Sequence, residues 1–358
     1  MKMIINRIKN LQKRLSNAQA ALILSDANRF YLTGFHSSAG FVFVTADGAD
    51  FYTDFRYYEM AKKAVKSCKV TLLTNTIGQI NELIAKYGVT ELFIETNSVS
   101  VSDFNLYKSR FDNVSVADTD FLDKALCELR SVKNKTEIEY IKSAQKLTDD
   151  TFSYILDKIS VGRTEKEIML DMEFYIRRLG SEGVSFDFIV VSGKNSSLPH
   201  GVPTDKKIEK GDFVTMDFGA VVNGYRSDMT RTVAVGDATA EMKKVYETVL
   251  AAQNAAFDLI APNAVCRDVD RAARDLINGA GYEGCFGHGL GHSVGIEIHE
   301  NPSFNTRCET RLAEGMILTV EPGIYLENRF GVRIEDMVLI TENGFENLTK
   351  SDKNLIIL

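Results

Sequence analysis

The segment VTMDFGAVVNGYRSDMTRTVAV, residues 214 to 235, sets the tightest limit on how this chain can fold. Asn223-Gly224 between two strand-like runs is the strongest short-range hairpin signal, because a two-residue turn needs positive φ at both positions. With those residues as the loop, Val222 faces Tyr225, Gly219 faces Asp228 and Asp217 faces Thr230. Side chains two apart on a strand share a face, so Asp217 and Asp228 project together as diagonal neighbours. The run VTMDFGAVV is too apolar for an exposed strand, although the surface is the ordinary fate of an aspartate. Buried carboxylates need cations or strong hydrogen bonds. The hairpin therefore predicts a metal-holding pair.

A second pair of acids lies in similar surroundings. Glu321 in LTVEPGIY and Glu335 in GVRIEDMVLI are embedded in apolar strand-like runs, separated by the turn-like ENRFG. Pro322 removes a ladder hydrogen bond directly after Glu321, so that strand should stop at an edge or a site. Each acid alone is a weak signal; two facing pairs would place four oxygen-donor groups around one point.

The order of elements gives a reason for two pairs. Residues 1 to about 120 alternate between helix and strand: an amphipathic helix near 3 to 18, strands AALIL and GFVFVT, a turn at Asp47-Gly48, then KVTLL and ELFIE between helices. This is an α/β domain. After the polar stretch SVKNK (131 to 135), Thr136 and Glu139 have the spacing of a capping box that opens a long helix, and Thr164 and Glu167 open a second one ending near Gly180. Strands follow, and from 239 the order helix, helix, strands begins again. Residues 126 to 358 thus read as an α+β domain with an internal repeat whose two sheets could leave a cleft between them. At 358 residues, two domains are the expected number.

Three of the five histidines fall in HGLGHSVGIEIHE, residues 288 to 300. His288 and His292 have the i, i+4 spacing of a helical zinc motif, but position 289 is Gly where that motif needs Glu. Gly289 and Gly291 would each cost a helix about 1 kcal/mol. The segment is a glycine-rich loop entering a strand.

Several function classes are excluded. No basic block accompanies the net charge of −7, so nucleic acid is not an expected partner. The chain has no run near the ~20 apolar residues of a membrane span and no signal peptide, which points to the cytoplasm. Its five cysteines are scattered and lack a C-x-x-C pair, arguing against a disulfide framework or zinc-thiolate site and for reduced core residues.

Taken in order and spacing, MDFGA…YRSDMTRT, HGLGHSVGIEIHE, TVEPGIY and VRIED resemble the motifs of the pita-bread metallopeptidases. The resemblance is to their proline-directed branch, the Xaa-Pro aminopeptidases and Xaa-Pro dipeptidases (prolidases) of family M24B, and it spans essentially the whole chain. It implies a creatinase-like N-terminal domain over 1–125 and a pita-bread catalytic domain with a pseudo-two-fold repeat over 126–358. It further implies metal ligands at Asp217, Asp228, His292, Glu321 and Glu335, with Asp228 and Glu335 shared by two ions. Substrate and proton handling would fall to His200 in SSLPHG, His288, His299 and Arg333. His36 in GFHSSAG stays outside that set, as a structural or mouth-lining residue.

Four carboxylates and one imidazole form a hard ligand set that suits two divalent ions, manganese before cobalt or zinc. The resemblance implies hydrolysis of the Xaa-Pro bond of a dipeptide or peptide by a hydroxide bridging the ions. His299 or His200 would stabilise the oxyanion and Glu321 would carry the proton to the leaving nitrogen. A homodimer is expected. Three alternatives remain: creatinase, which lacks the dinuclear site; methionine aminopeptidase, which usually lacks such an N-terminal domain; and a non-catalytic binding protein, which typically loses ligands.

Overall fold

The computed structural model describes residues 2–358, with the backbone alone for Lys2. The chain divides into two compact units, Met1–Arg130 and Ser131–Leu358.

In the first unit, helices α1 (Lys2–Gln12), α2 (Asp26–Thr33), α3 (Phe55–Ala64), α4 (Thr76–Tyr87), α5 (Val101–Arg110) and α6 (Phe121–Ser131) alternate with six strands. The strands β1 (Gln19–Ile23), β2 (Phe41–Thr45), β3 (Ala49–Thr53), β4 (Lys69–Leu72), β5 (Glu91–Ile94) and β6 (Ser115–Ala117) form one sheet in the order β4-β3-β2-β1-β5-β6. Leu22, Phe41, Phe43 and Leu92 of the sheet and Ile80 and Leu83 of α4 are buried together. The first helix is shorter than the 3 to 18 expected, because the chain turns at Ser16, whose carbonyl accepts from Gln19 N at 3.0 Å.

In the second unit, α7 (Lys135–Leu156) and α8 (Glu165–Arg178) precede β7 (Ile189–Ser192), β8 (Phe213–Phe218), β9 (Val221–Val222), β10 (Tyr225–Arg226) and β11 (Met229–Ala234). The order then repeats with α9 (Ala240–Phe257) and α10 (Cys266–Ile277). Behind them come β12 (Gly291–Ser293), β13 (Glu300–Phe304), β14 (Ile317–Val320), β15 (Gly323–Leu326), β16 (Phe330–Arg333), β17 (Asp336–Thr341) and β18 (Gly344–Asn347). The first half holds a sheet ordered β11-β8-β7 and the second a sheet ordered β13-β12-β14-β17-β18. Each half has its own core, the first around Phe152, Ile168, Met172 and Val214, the second around Val249, Val269, Leu318 and Val338.

The hairpin has the predicted register: Val222 pairs with Tyr225, and Thr230 with Asp217. Asn223 and Gly224 take φ of 50° and 75°, the two positive values a tight turn of this type demands. Gly219 is required for a different reason. A Cβ there would lie 1.9 Å from the Ser227 carbonyl oxygen, so only glycine lets the Asp228 segment close against β8.

Two local expectations need correction. The cap of α7 is Asn134, whose Oδ1 accepts from Thr136 N and Glu137 N while Glu137 Oε2 accepts from Asn134 N at 2.9 Å; Thr136 is already inside the helix. Of the five cysteines only Cys266 is a core residue, the others being half-buried. No described helix is long and apolar enough to cross a membrane.

Candidate metal centre

Three of the four acids stand where strands break. Asp228 lies between β10 and β11, Glu321 between β14 and β15, and Glu335 between β16 and β17, while Asp217 is the penultimate residue of β8. Pro322 interrupts β14, and the Glu321 N–H, released from its ladder, bonds the Leu290 carbonyl at 2.8 Å. The Glu335 N–H likewise turns to Thr230 O at 3.1 Å, joining the two halves. His292 sits in β12 where the register with β13 shifts, a bulge that re-aims a side chain.

These breaks bring the side chains to one point. His292 Nε2 is 3.6 Å from Asp228 Oδ2 and 3.4 Å from Glu321 Oε1. One potential ligand atom each from Asp228, His292 and Glu335 lies within 4.8 Å of the others. Thr230 donates to Glu335 Oε2 at 2.7 Å and Thr319 to Glu321 Oε1 at 3.1 Å, so a threonine from each half orients one of the two glutamates. Asp217 turns one oxygen to Arg333, with Nη2 to Oδ2 at 2.6 Å.

Crowding of acids governs the electrostatics. Burial raises the Asp228 and Glu335 carboxyls well above the ordinary range, and neighbouring carboxylates push them further. Burial also raises Glu321 to about 8, against the pull of Arg333. His292 is lowered to about 4, first by burial and then by His299. Its Nδ1–H donates to the Ser293 carbonyl at 3.2 Å, which leaves an unprotonated Nε2 facing the acids, the form a metal requires.

Arg333 organises the other side. Its guanidinium donates to Asp217, Thr230 Oγ1, Pro199 O and the Tyr325 hydroxyl. His288 Nδ1–H donates to Gly289 O at 2.8 Å, so Nε2 accepts from Tyr325 at 2.9 Å. Arg333, Tyr325 and His288 thus form a fixed relay, and burial, followed by the charge of Arg333, lowers His288 to about 4. Tyr325 carried no signal of its own in the sequence. The second hairpin could have found it: pairing of Gly323 with Arg333 and Tyr325 with Gly331 makes Arg333 and Tyr325 diagonal neighbours, as Asp217 and Asp228 are in the first.

Two ion pairs anchor the histidine loops, each with a buried acid. Arg274 pairs with Asp270 at 2.8 Å and donates to Phe286 O and His288 O, while Asp270 accepts from Leu290 N. Lys133 Nζ reaches Glu300 Oε2 at 3.2 Å and Ser293 Oγ at 2.9 Å, tying the ends of the segment that carries His299. Glu300 Oε1 accepts from Ile296 N and Glu297 N inside that segment.

All nine residues singled out in the second unit line one cavity of about 650 Å³: Asp217, Asp228, His292, Glu321, Glu335, His200, His288, His299 and Arg333. His200 and His299 are exposed on its wall, and the His299 ring lies edge-on to His292 at 4.4 Å. His36 belongs to the first unit, stacked on Phe30 at 3.8 Å. The cluster fits divalent cations on its own chemistry. It is oxygen-rich, and Asp217 Oδ1 and Asp228 Oδ1 are buried with no hydrogen-bond partner among the described residues.

Residues 139–342 match metallopeptidase family M24, and residues 7–132 match the creatinase/prolidase N-terminal domain. The chain belongs to metallopeptidase family M24. This M24 peptidase is 41% identical over 357 residues to the uncharacterized peptidase YqhT of Bacillus subtilis, covering 99% of this chain and 100% of the relative. It superposes on the Xaa-Pro dipeptidase from Bacillus anthracis with a TM-score of 0.95 at 38% identity, covering 99% of this chain and 100% of that one. The X-Pro aminopeptidase from Thermotoga maritima gives 0.89 at 35%, covering 97% and 100%. The pita-bread fold expected of an M24 chain is the fold observed.

Proposed function

We propose that the chain is a dinuclear metal-dependent exopeptidase that hydrolyses the bond between an amino-terminal residue and proline, in dipeptides and at the start of longer peptides. One observation carries this reading. Four acids and a neutral imidazole converge in a cavity of ligand size, with two buried carboxylate oxygens that have no hydrogen-bond partner among the described residues. Relatives named for Xaa-Pro dipeptidase and X-Pro aminopeptidase activity support the proline specificity.

Asp217, Asp228, His292, Glu321 and Glu335 would hold two ions, and the absence of thiolates among them favours manganese, with cobalt or zinc as substitutes. When bound, the ions supply Lewis acidity toward water and the scissile carbonyl. The chain's own groups do the rest. Glu321 takes a proton from the attacking water and returns it to the proline nitrogen, which must be protonated to leave. His200 and His299 donate to the negative charge that develops on the carbonyl oxygen. Through Tyr325, Arg333 keeps His288 facing the substrate and holds Asp217 in place. The scattered cysteines, with no C-x-x-C pair, support a reducing cytoplasm, and Phe55 and Met60, exposed on α3, support a homodimer.

Hydrolysis of Ala-Pro, Ala-Pro-Ala and Ala-Ala by the manganese-loaded enzyme tests the proposal. Release of alanine from the proline substrates is expected, and their relative rates set the preferred length. Cleavage of Ala-Ala with both proline substrates untouched would contradict it.

A further inference from the structure

Among the described residues His200 and His299 have no ring hydrogen bond that would fix them, so the backbone that carries them must do so. For His200 that backbone runs from 193 to 203, and Pro199, His200, Gly201, Val202 and Pro203 all line the cavity. Such a segment should be mobile unless its ends are held.

Both ends converge on one side chain. Glu165, in the first turn of α8, is fully buried, and among the described residues no salt bridge accounts for its charge. Its Oε1 accepts from Ser192 N at 2.6 Å, Ser192 Oγ at 2.9 Å and Asn195 Nδ2 at 3.1 Å. Its Oε2 accepts from Thr204 N at 3.0 Å and Thr204 Oγ1 at 2.7 Å. Donors on both oxygens, together with the positive end of the helix, make the burial of a carboxylate tolerable. Ser192 precedes the segment and Thr204 follows it, so one carboxylate closes the loop. The loop in turn touches the reacting side of the cavity, because Pro199 O accepts from Arg333 Nη1 at 3.1 Å. Ser196 Oγ accepts from Gly331 N at 2.9 Å, which ties the same loop to β16.

We infer that Glu165 is a positioning residue for the peptidase reaction: it clamps both ends of the 193–203 segment and so places His200 and, through Pro199, Arg333. The inference rests on the proposed role of His200 at the substrate. A carboxylate is needed because the arriving groups are donors, and an amide would present its own N–H groups to some of them.

The test uses the manganese-loaded full chain with Glu165→Gln, the milder Thr204→Val, His200→Ala and the Glu165→Gln/His200→Ala double variant. Glu165→Gln should lower kcat/KM for Ala-Pro on the order of 10²-fold with metal content unchanged, as for a catalytic group displaced by about an ångström. Thr204→Val should lose less, in the same direction. In the His200→Ala background most of the Glu165→Gln effect should vanish, whereas a merely structural contribution would multiply with it. Amide exchange in 193–204 should quicken in Glu165→Gln and stay unchanged in α9 and α10. Unchanged exchange in that segment, or full additivity with an active His200→Ala effect, would overturn the clamp. A His200→Ala variant of normal activity would remove the role assigned to His200, and exchange would then decide the clamp alone.

Discussion

Removing divalent metal with a chelator should make this peptidase lose stability as the pH rises from 6.5 to 8. Burial raises Glu321 from its ordinary 4.5 to about 8; Arg333 opposes the rise and Asp217 adds to it. Between those values the folded chain keeps a proton that the unfolded chain has released. Its stabilising effect is complete below 4.5 and is lost as the pH climbs through about 8. His288 and His292 run the other way. Burial lowers both from 6.5 to about 4, so their contribution is present above 6.5 and is lost as the pH falls through about 4. Above 6.5 only the carboxyl effect is left. One group with the two pKa values of Glu321 loses about 2 kcal/mol between pH 6.5 and 8, and the raised Asp228 and Glu335 act in the same direction. Bound cations displace these protons, so the loaded protein should lack the decline. Urea unfolding followed by far-UV circular dichroism at both pH values, with chelator and with manganese, measures it. A chelated protein as stable at the higher pH as at the lower would refute the crowded-acid electrostatics.

His292→Ala should lower the bound metal, whereas His299→Ala should keep it and lose about 10²- to 10³-fold in kcat, read by metal analysis alongside turnover. Tyr325→Phe breaks the link from Arg333 to His288 and should lower kcat/KM about 10-fold at constant metal content. Lys133→Met removes the ammonium that pairs with Glu300 and bonds Ser293 Oγ and should cost about 1 to 3 kcal/mol in unfolding free energy; adding Glu300→Gln should recover part of it.

What the sequence revealed follows from the range of the interactions involved. The Asn223-Gly224 turn fixes its register within a dozen residues, so the shared face of Asp217 and Asp228 was readable before any fold was known. The glutamate pair was readable because acids stand out in apolar runs. Long-range partners were not. Lys133 sits in SVKNK, which reads as a solvated stretch, yet it is buried because Glu300 and Ser293 arrive from residues far along the chain. Glu165 reads as an ordinary first-turn acid, and only the return of Thr204 to Ser192 shows what it holds. Asn134 and Thr136 illustrate a local ambiguity: both precede a glutamate by three residues, and the spacing alone favours neither.

If the four acids and His292 hold two ions that the reaction requires, metal content and Ala-Pro hydrolysis should rise together on one sample as manganese is returned to the stripped enzyme. Activity should be absent after stripping and reach its maximum as occupancy approaches two ions per chain. Full hydrolysis in the stripped sample, or maximal hydrolysis with no ion bound, would mean that the reaction needs no metal at these ligands.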